Sequence, residues 1–221
     1  MSRLAIMLSV AVPCAAQAQQ RASAPYAVTA RHQIGGAGGW DYLTVDTAGH
    51  RLFVTRTDRV SAIDLKTGKV VAEMPGLNRG HGVAFDYAHH HGFATSGEDS
   101  TVVMFDLNTM KEIGRTTAAV DADAILYEPT SRRVFTFNGD ANSASVIETT
   151  NGKRVGTIAL GGKPEFGVTD GKGNVWVNIA DKGEVAQIDA RGMRVTRRWS
   201  IKPCEDPSGM AIDVEHARLF S

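Results

Sequence analysis

Five acidic residues, Asp46, Asp86, Glu128, Asp170 and Asp213, stand 40, 42, 42 and 43 positions apart, and each closes a short apolar run. A second set, Asp64, Asp106, Glu148 and Asp189, keeps spacings of 42, 42 and 41. Two independent markers on one period make the chain a repeat protein. The first unit shows what is repeated. Tyr42-Leu43-Thr44-Val45 leads into Asp46, a polar turn follows, and Arg51-Leu52-Phe53-Val54-Thr55 is a second β-favouring run. Val60-Ser61-Ala62-Ile63-Asp64-Leu65 alternates as a half-buried strand does. Lys66-Thr67-Gly68-Lys69 reads as a hairpin turn before Val70-Val71-Ala72-Glu73-Met74. Four strands and three tight turns per unit predict one antiparallel meander.

Meanders of this length stack radially as blades, so the expected fold is an all-β propeller of four-stranded antiparallel blades. The units fall at approximately 40–79, 80–121, 122–163 and 164–206, with an incomplete fifth at 207–221: about four and a half blades. No stretch after the N-terminal residues holds a helical period, and 23 glycines suit a chain that turns every ten residues or so. A final blade cut inside its second strand leaves an open edge, and a fragment of a longer protein is expected. Residues 19–39 read as a linker plus a leading outer strand over 26–34. Gly35 to Gly39 reads as a flexible connection, because no helix follows to make it a phosphate loop.

Residues 1–18 read as a cleaved export signal: Arg3, an apolar core from Leu4 to Val12, and Ala16-Gln17-Ala18 as the cleavage site. Pro13 before Cys14 argues against lipoprotein processing. The expected destination is the periplasm or the exterior, and the mature chain has no stretch apolar enough to span a bilayer. Cleavage leaves Cys204 as the one cysteine, either a free thiol or half of a disulfide. Lys plus Arg and Asp plus Glu balance at 24 each, which argues against nucleic-acid binding. Arg191, Arg194, Arg197 and Arg198 read as the solvated face of an outer strand.

Gly39-Trp40-Asp41-Tyr42-Leu43-Thr44-Val45-Asp46, Arg51-Leu52-Phe53-Val54-Thr55 and Ala62-Ile63-Asp64-Leu65-Lys66-Thr67-Gly68-Lys69 resemble the YVTN-type propeller repeat. Residues 25–221 as a whole resemble YncE-like exported propeller proteins. That resemblance implies seven blades, and a cysteine shortly after Ser221 as a partner for Cys204. It also implies an architecture like the haem d1 domain of nitrite reductase and the quinoprotein amine dehydrogenase chain. It implies no catalytic set, and fold likeness transfers no activity.

A propeller gathers one loop from each blade around its axis. Five residues before each acidic anchor lie Asp41, His81, Asp123, Glu165 and Ser208. Equivalent positions face one centre, so these side chains are expected to converge at the channel mouth as a ligand site. Asp41, His81, Asp123 and Glu165 are the candidate metal ligands. Three carboxylates and an imidazole repel unless a cation or donors intervene. Oxygen ligands suit Ca²⁺ or Mg²⁺, and imidazole widens the choice to Zn²⁺ or Mn²⁺. The alternative is a merely wet, polar mouth. His89-His90-His91 reads as a solvated turn, since consecutive strand residues do not point one way. The recurring anchors read as turn-capping acids.

No nucleophile elbow, zinc-protease, haem-attachment or Walker motif occurs. The function expected is therefore a binding or scaffold protein facing a protein or cell-surface partner, with no catalytic residues and a cation or small polar ligand at its mouth. The alternatives are a metal-assisted lactone or ester hydrolase using the same ring and a cofactor-bearing redox propeller.

Overall fold

The computed structural model describes residues 26–221; the export signal read at 1–18, with Cys14, lies outside the described residues. The chain divides into Met1–Arg31 and His32–Ser221. The described part of the first unit, residues 26–31, has no regular structure.

The strands of the second unit follow the repeats. β1 (Trp40–Asp46), β2 (Arg51–Arg56), β3 (Arg59–Asp64) and β4 (Val70–Pro75) form one antiparallel sheet in chain order. β5 (Gly80–Asp86), β6 (His91–Ser96), β7 (Thr101–Asp106) and β8 (Glu112–Thr117) form the next. β9 (Ala122–Glu128), β10 (Arg133–Asn138), β11 (Ser143–Glu148) and β12 (Arg154–Ala159) form the third. β13 (Pro164–Thr169), β14 (Asn174–Ile179), β15 (Glu184–Asp189) and β16 (Arg194–Ser200) form the fourth. β17 (Ala211–Asp213) and β18 (Arg218–Phe220) begin a fifth. Among the described residues the only helical element is a 3₁₀ turn at Ala180–Lys182, and no helix is long and apolar enough to cross a membrane.

The first strand of each sheet packs against that of the next, β1 on β5, β5 on β9, β9 on β13 and β13 on β17. The core lies between the sheets, not within them. Phe53, Phe93 and Phe135 each sit seven residues after their blade's anchor and have no exposed surface. Phe53 packs with Phe85 and Phe105 of the second sheet at centroid distances of 4.8 and 6.3 Å. Phe93 belongs to the cluster between sheets two and three, and Phe135 to that between three and four. Burying each ring is worth roughly 2–3 kcal/mol.

The acidic anchors hold the turn after each inner strand. Asp46 accepts from the Gly49 amide at 2.8 Å and from Arg51 Nη2 at 2.8 Å. Asp86 accepts from the Ala88 amide and from His89 Nδ1, Asp170 from the Lys172 and Asn174 amides, and Asp213 from the His216 amide. They also join blades. Burial, and after it the charge of Asp46, pushes the Tyr87 phenol up, and burial with the charge of Asp86 does the same to Tyr127. Glu128, the one glutamate in the series, accepts from Thr130 and Ser131 in its own turn and from the Gly173 amide of the next blade at 3.0 Å. The longer side chain reaches across.

Two expectations about the entry segment need correction. Residues 26–34 form no strand. A lone extended segment leaves its backbone groups without strand partners, so β-favouring composition alone does not make it a strand. The glycine-rich segment is held, not free. Arg56, 6 % exposed, donates to the carbonyls of Gly35, Gly36, Ala37, Gly38 and Gly39 at 3.0–3.2 Å. Gly36 and Gly38 have φ of +77° and +91°, a backbone that favours glycine, so the curl suits the residues it is built from.

Glu128→Ala strands three amide donors, one of them in the neighbouring blade. It is expected to destabilise the protein by about 3 kcal/mol, and Glu128→Gln by clearly less, since an acceptor remains. Urea denaturation of the two variants checks the order.

Candidate functional site

Every complete inner strand carries an irregularity at the same place. In β1 the register passes from Trp40↔Arg56 to Leu43↔Val54, so Asp41 and Tyr42 together face Thr55. In β5, His81 and Gly82 face Thr95. In β9, Asp123 and Ala124 face Phe137, and in β13, Glu165 and Phe166 face Asn178. Two residues opposite one is a β-bulge, which bends the strand and re-aims its side chains. The first residue of each bulge is the one the repeat alignment singled out.

The bulges are tied together by the residues they face. Thr95, fully buried, accepts from the Gly82 amide at 2.9 Å and donates to the Asp123 carbonyl at 2.7 Å. One hydroxyl thus links the bulge bearing His81 to the bulge bearing Asp123. Thr55 Oγ1 donates to the Tyr42 carbonyl at 3.2 Å, and Asn178 Nδ2 to the Gly209 carbonyl at 2.9 Å. The linking role of Thr95 was not read from the sequence. Its only signal there is a polar residue in the second strand, in step with Thr55.

Three of the five expected residues meet. His81 Nδ1 lies 2.6 Å from Asp41 Oδ2 and 3.4 Å from Asp123 Oδ1. The ligand atoms of these three residues all lie within 4.8 Å of one another, the only such His, Cys, Asp and Glu group among the described residues. The His81 side chain is 8 % exposed and that of Asp41, on the rim, 41 %. His81 Nε2 and Asp123 Oδ1 are buried without a hydrogen-bond partner. Glu165 does not join the group; its carboxylate pairs with Lys163 Nζ at 3.3 Å, two residues back in the chain and just before β13. Ser208 is exposed, and only its carbonyl takes part, accepting from the Phe166 amide at 3.2 Å.

The charges act on one another. Burial pushes the Asp123 carboxyl up to about 6; His81 pulls it back, while Asp41, Asp121 and Glu165 push it further. Burial pulls His81 down, but the hydrogen bond to Asp41 and the charges of Asp123 and Asp41 outweigh it and hold the imidazole above its usual range. Tyr42 is pushed up by burial and by the charges of Asp123, Asp41 and Glu165. Its ring meets that of Phe166 at 5.3 Å, joining the first and fourth blades across the axis. Tyr42 and Phe166 also line a cavity of about 320 Å³ bounded by β1, β5, β9 and β13.

The histidine tract is structural. His89 Nδ1 pairs with Asp86 at 2.7 Å, and His91 Nδ1 donates to the Thr149 carbonyl at 2.9 Å. Cys204 is a free, exposed thiol.

With this geometry in hand, the solved structures supply the likeness. The chain resembles the Kuenenia stuttgartiensis hydrazine synthase with a TM-score of 0.73 at 17 % identity, over 84 % of this chain and 56 % of that one. It resembles the β-propeller domain of Myceliophteria thermophila Cps50 (Swd1) with a TM-score of 0.69 at 13 % identity, over 83 % of this chain and 62 % of that one. The fold is a β-propeller. At these identities the likeness concerns the fold alone, and the chain spans about three-fifths of the length of either structure. No protein-family profile and no curated protein matches the chain.

The electrostatics give a sign for pH. Stability from the His81 imidazolium is present in full below its ordinary value of 6.5 and is lost as pH rises through the raised folded value. The cost of ionising Asp123 is absent below its ordinary 3.8 and complete above about 6. Both make the mouth less stable as pH climbs from mildly acidic to alkaline. In an NMR titration His81 is expected to titrate above 6.5, and Asp41→Asn to bring the midpoint down. An unmoved midpoint would contradict the pairing.

Proposed function

We propose that this chain is the binding module of an exported, YncE-like propeller protein, and that its axial mouth takes up a small cationic ligand. The observation that carries the reading is Asp123 Oδ1, buried and unpartnered, beside His81 and within the field of Asp41 and Glu165. Partly buried carboxylates gathered without enough donors favour a positive guest. Lys163 is the one cationic side chain paired with Glu165, and it is half exposed. Export and a protein or cell-surface partner belong to the same proposal; they rest on the signal read at 1–18 and on the lack of any catalytic motif.

A second reading, metal-assisted hydrolysis of a lactone or ester, draws on one feature. A carboxyl raised to about 6 next to an imidazole can exchange protons near neutral pH. The redox reading has no residue behind it, and the likeness to hydrazine synthase adds only the fold.

The test is thermal denaturation and calorimetry of the full chain with CaCl₂, ZnCl₂ and tetramethylammonium chloride. At least one cation should stabilise the protein, and Asp41→Asn with Glu165→Gln should weaken binding about tenfold or more. Lack of binding by all three would remove the proposal. Lactone turnover abolished by Asp123→Asn would favour the second reading.

A further inference from the structure

The geometry points to a transition-metal site formed by Asp41 Oδ2, His81 Nδ1 and Asp123 Oδ1, with Zn²⁺ or Mn²⁺ as the ion. This rests on the cation-binding reading above and names the cation. The three atoms come from three adjacent blades, and the bulges bring them to one point. A metal with bonds of about 2.1 Å separates neighbouring ligand atoms by roughly 3.0–3.4 Å. His81 Nδ1 to Asp123 Oδ1 is already 3.4 Å, and His81 Nδ1 to Asp41 Oδ2, at 2.6 Å, has only to open by about half an ångström. Asp41 lies on the rim, with no buried neighbour needed to shift for that change.

Beyond the cluster of acids, a second observation points to a ligand. The His81 side chain is more than nine-tenths buried and presents Nδ1 to both carboxylates, while Asp123 Oδ1 has neither solvent nor a donor. An ion between them supplies the missing partner. Two carboxylates and a neutral imidazole balance a divalent charge. A nitrogen donor in the set favours Zn²⁺ or Mn²⁺ over Ca²⁺ or Mg²⁺, which prefer oxygen alone. Three protein ligands leave at least one position open on the mouth side.

The surroundings hold the ligands in place. Thr95 fixes the Asp123 backbone to the strand that bears His81. Behind the imidazole, Gly97 leaves only enough space for the ring: a Cβ there would meet His81 Nε2 at 2.8 Å and Cδ2 at 2.9 Å. Gly97→Ala therefore displaces His81 without removing a donor. Outer changes of this kind typically cost tenfold to a hundredfold in metal affinity.

The experiment is calorimetric titration of the full chain with ZnCl₂ in excess MgCl₂, read alongside the His81 imidazole NMR signals. One ion per chain is expected, with the His81 signals moving in step. Asp123→Asn and Asp41→Asn should each weaken binding more than tenfold, and Gly97→Ala about tenfold. Asp41→Asn, on the rim, keeps the test valid if the buried variant fails to fold. Zinc bound with unchanged affinity in Asp41→Asn, or with His81 signals unmoved, would overturn the site. Tetramethylammonium binding without zinc binding would overturn this inference and leave the cationic-ligand reading standing; loss of both would end the two together.

Discussion

The site rests on a backbone irregularity repeated in step with the fold. In a regular ladder each inner-strand residue has one partner and alternate side chains face opposite sides of the blade. Inserting one extra residue at the same depth in β1, β5, β9 and β13 breaks that alternation where the strands approach the axis. Asp41, His81 and Asp123 meet because the same local distortion occurs in three neighbouring blades. The polar side chains opposite the bulges, Thr55 and Thr95, then bond the backbone groups that the ladder leaves unpaired.

The fold was legible because its markers are local and periodic. An acid that caps the turn after each inner strand recurs wherever the turn recurs, and a second acid, Asp64, Asp106, Glu148 or Asp189, closes the third strand of each complete blade. Ring positions could be aligned for the same reason. What alignment could not give is the rotation of each side chain about its bulge. Glu165 occupies the same place in the repeat as Asp123, yet it turns to Lys163, a cation two residues away, whereas the second blade's cation at that position, Arg79, pairs with Asp121 of the next blade. Ser208 is too short to matter and contributes only its backbone. Residues 26–34 read as a strand and are not one, because a β-favouring run holds as a strand only when its backbone groups are paired. The order of the glycine loop depends on Arg56, whose role shows only in three dimensions.

The acids of this molecule fall into two electrostatic classes at the two ends of the inner strands. At one end, burial of Asp46 and Asp86 opposes ionisation, but amide, hydroxyl, guanidinium and imidazole donors more than offset it, so both carboxyls lie below their usual range. At the other end, burial pushes the Asp123 carboxyl above that range, and it has too few donors to offset this while neighbouring carboxylates add to it. One repeat thus produces carboxylates committed to structure and a carboxylate left in want of a partner, and the difference is the supply of donors rather than depth alone.

The Arg56 guanidinium has a reach beyond the loop it gathers. The five carbonyls it holds run without a break to Gly39, and the chain enters β1 at the very next residue, one before Asp41. The first blade has no preceding blade among the described strands to steady its inner strand from behind. A single cation curling five peptide units does that task, so the aim of the outermost carboxylate at the mouth is set from the far end of β2.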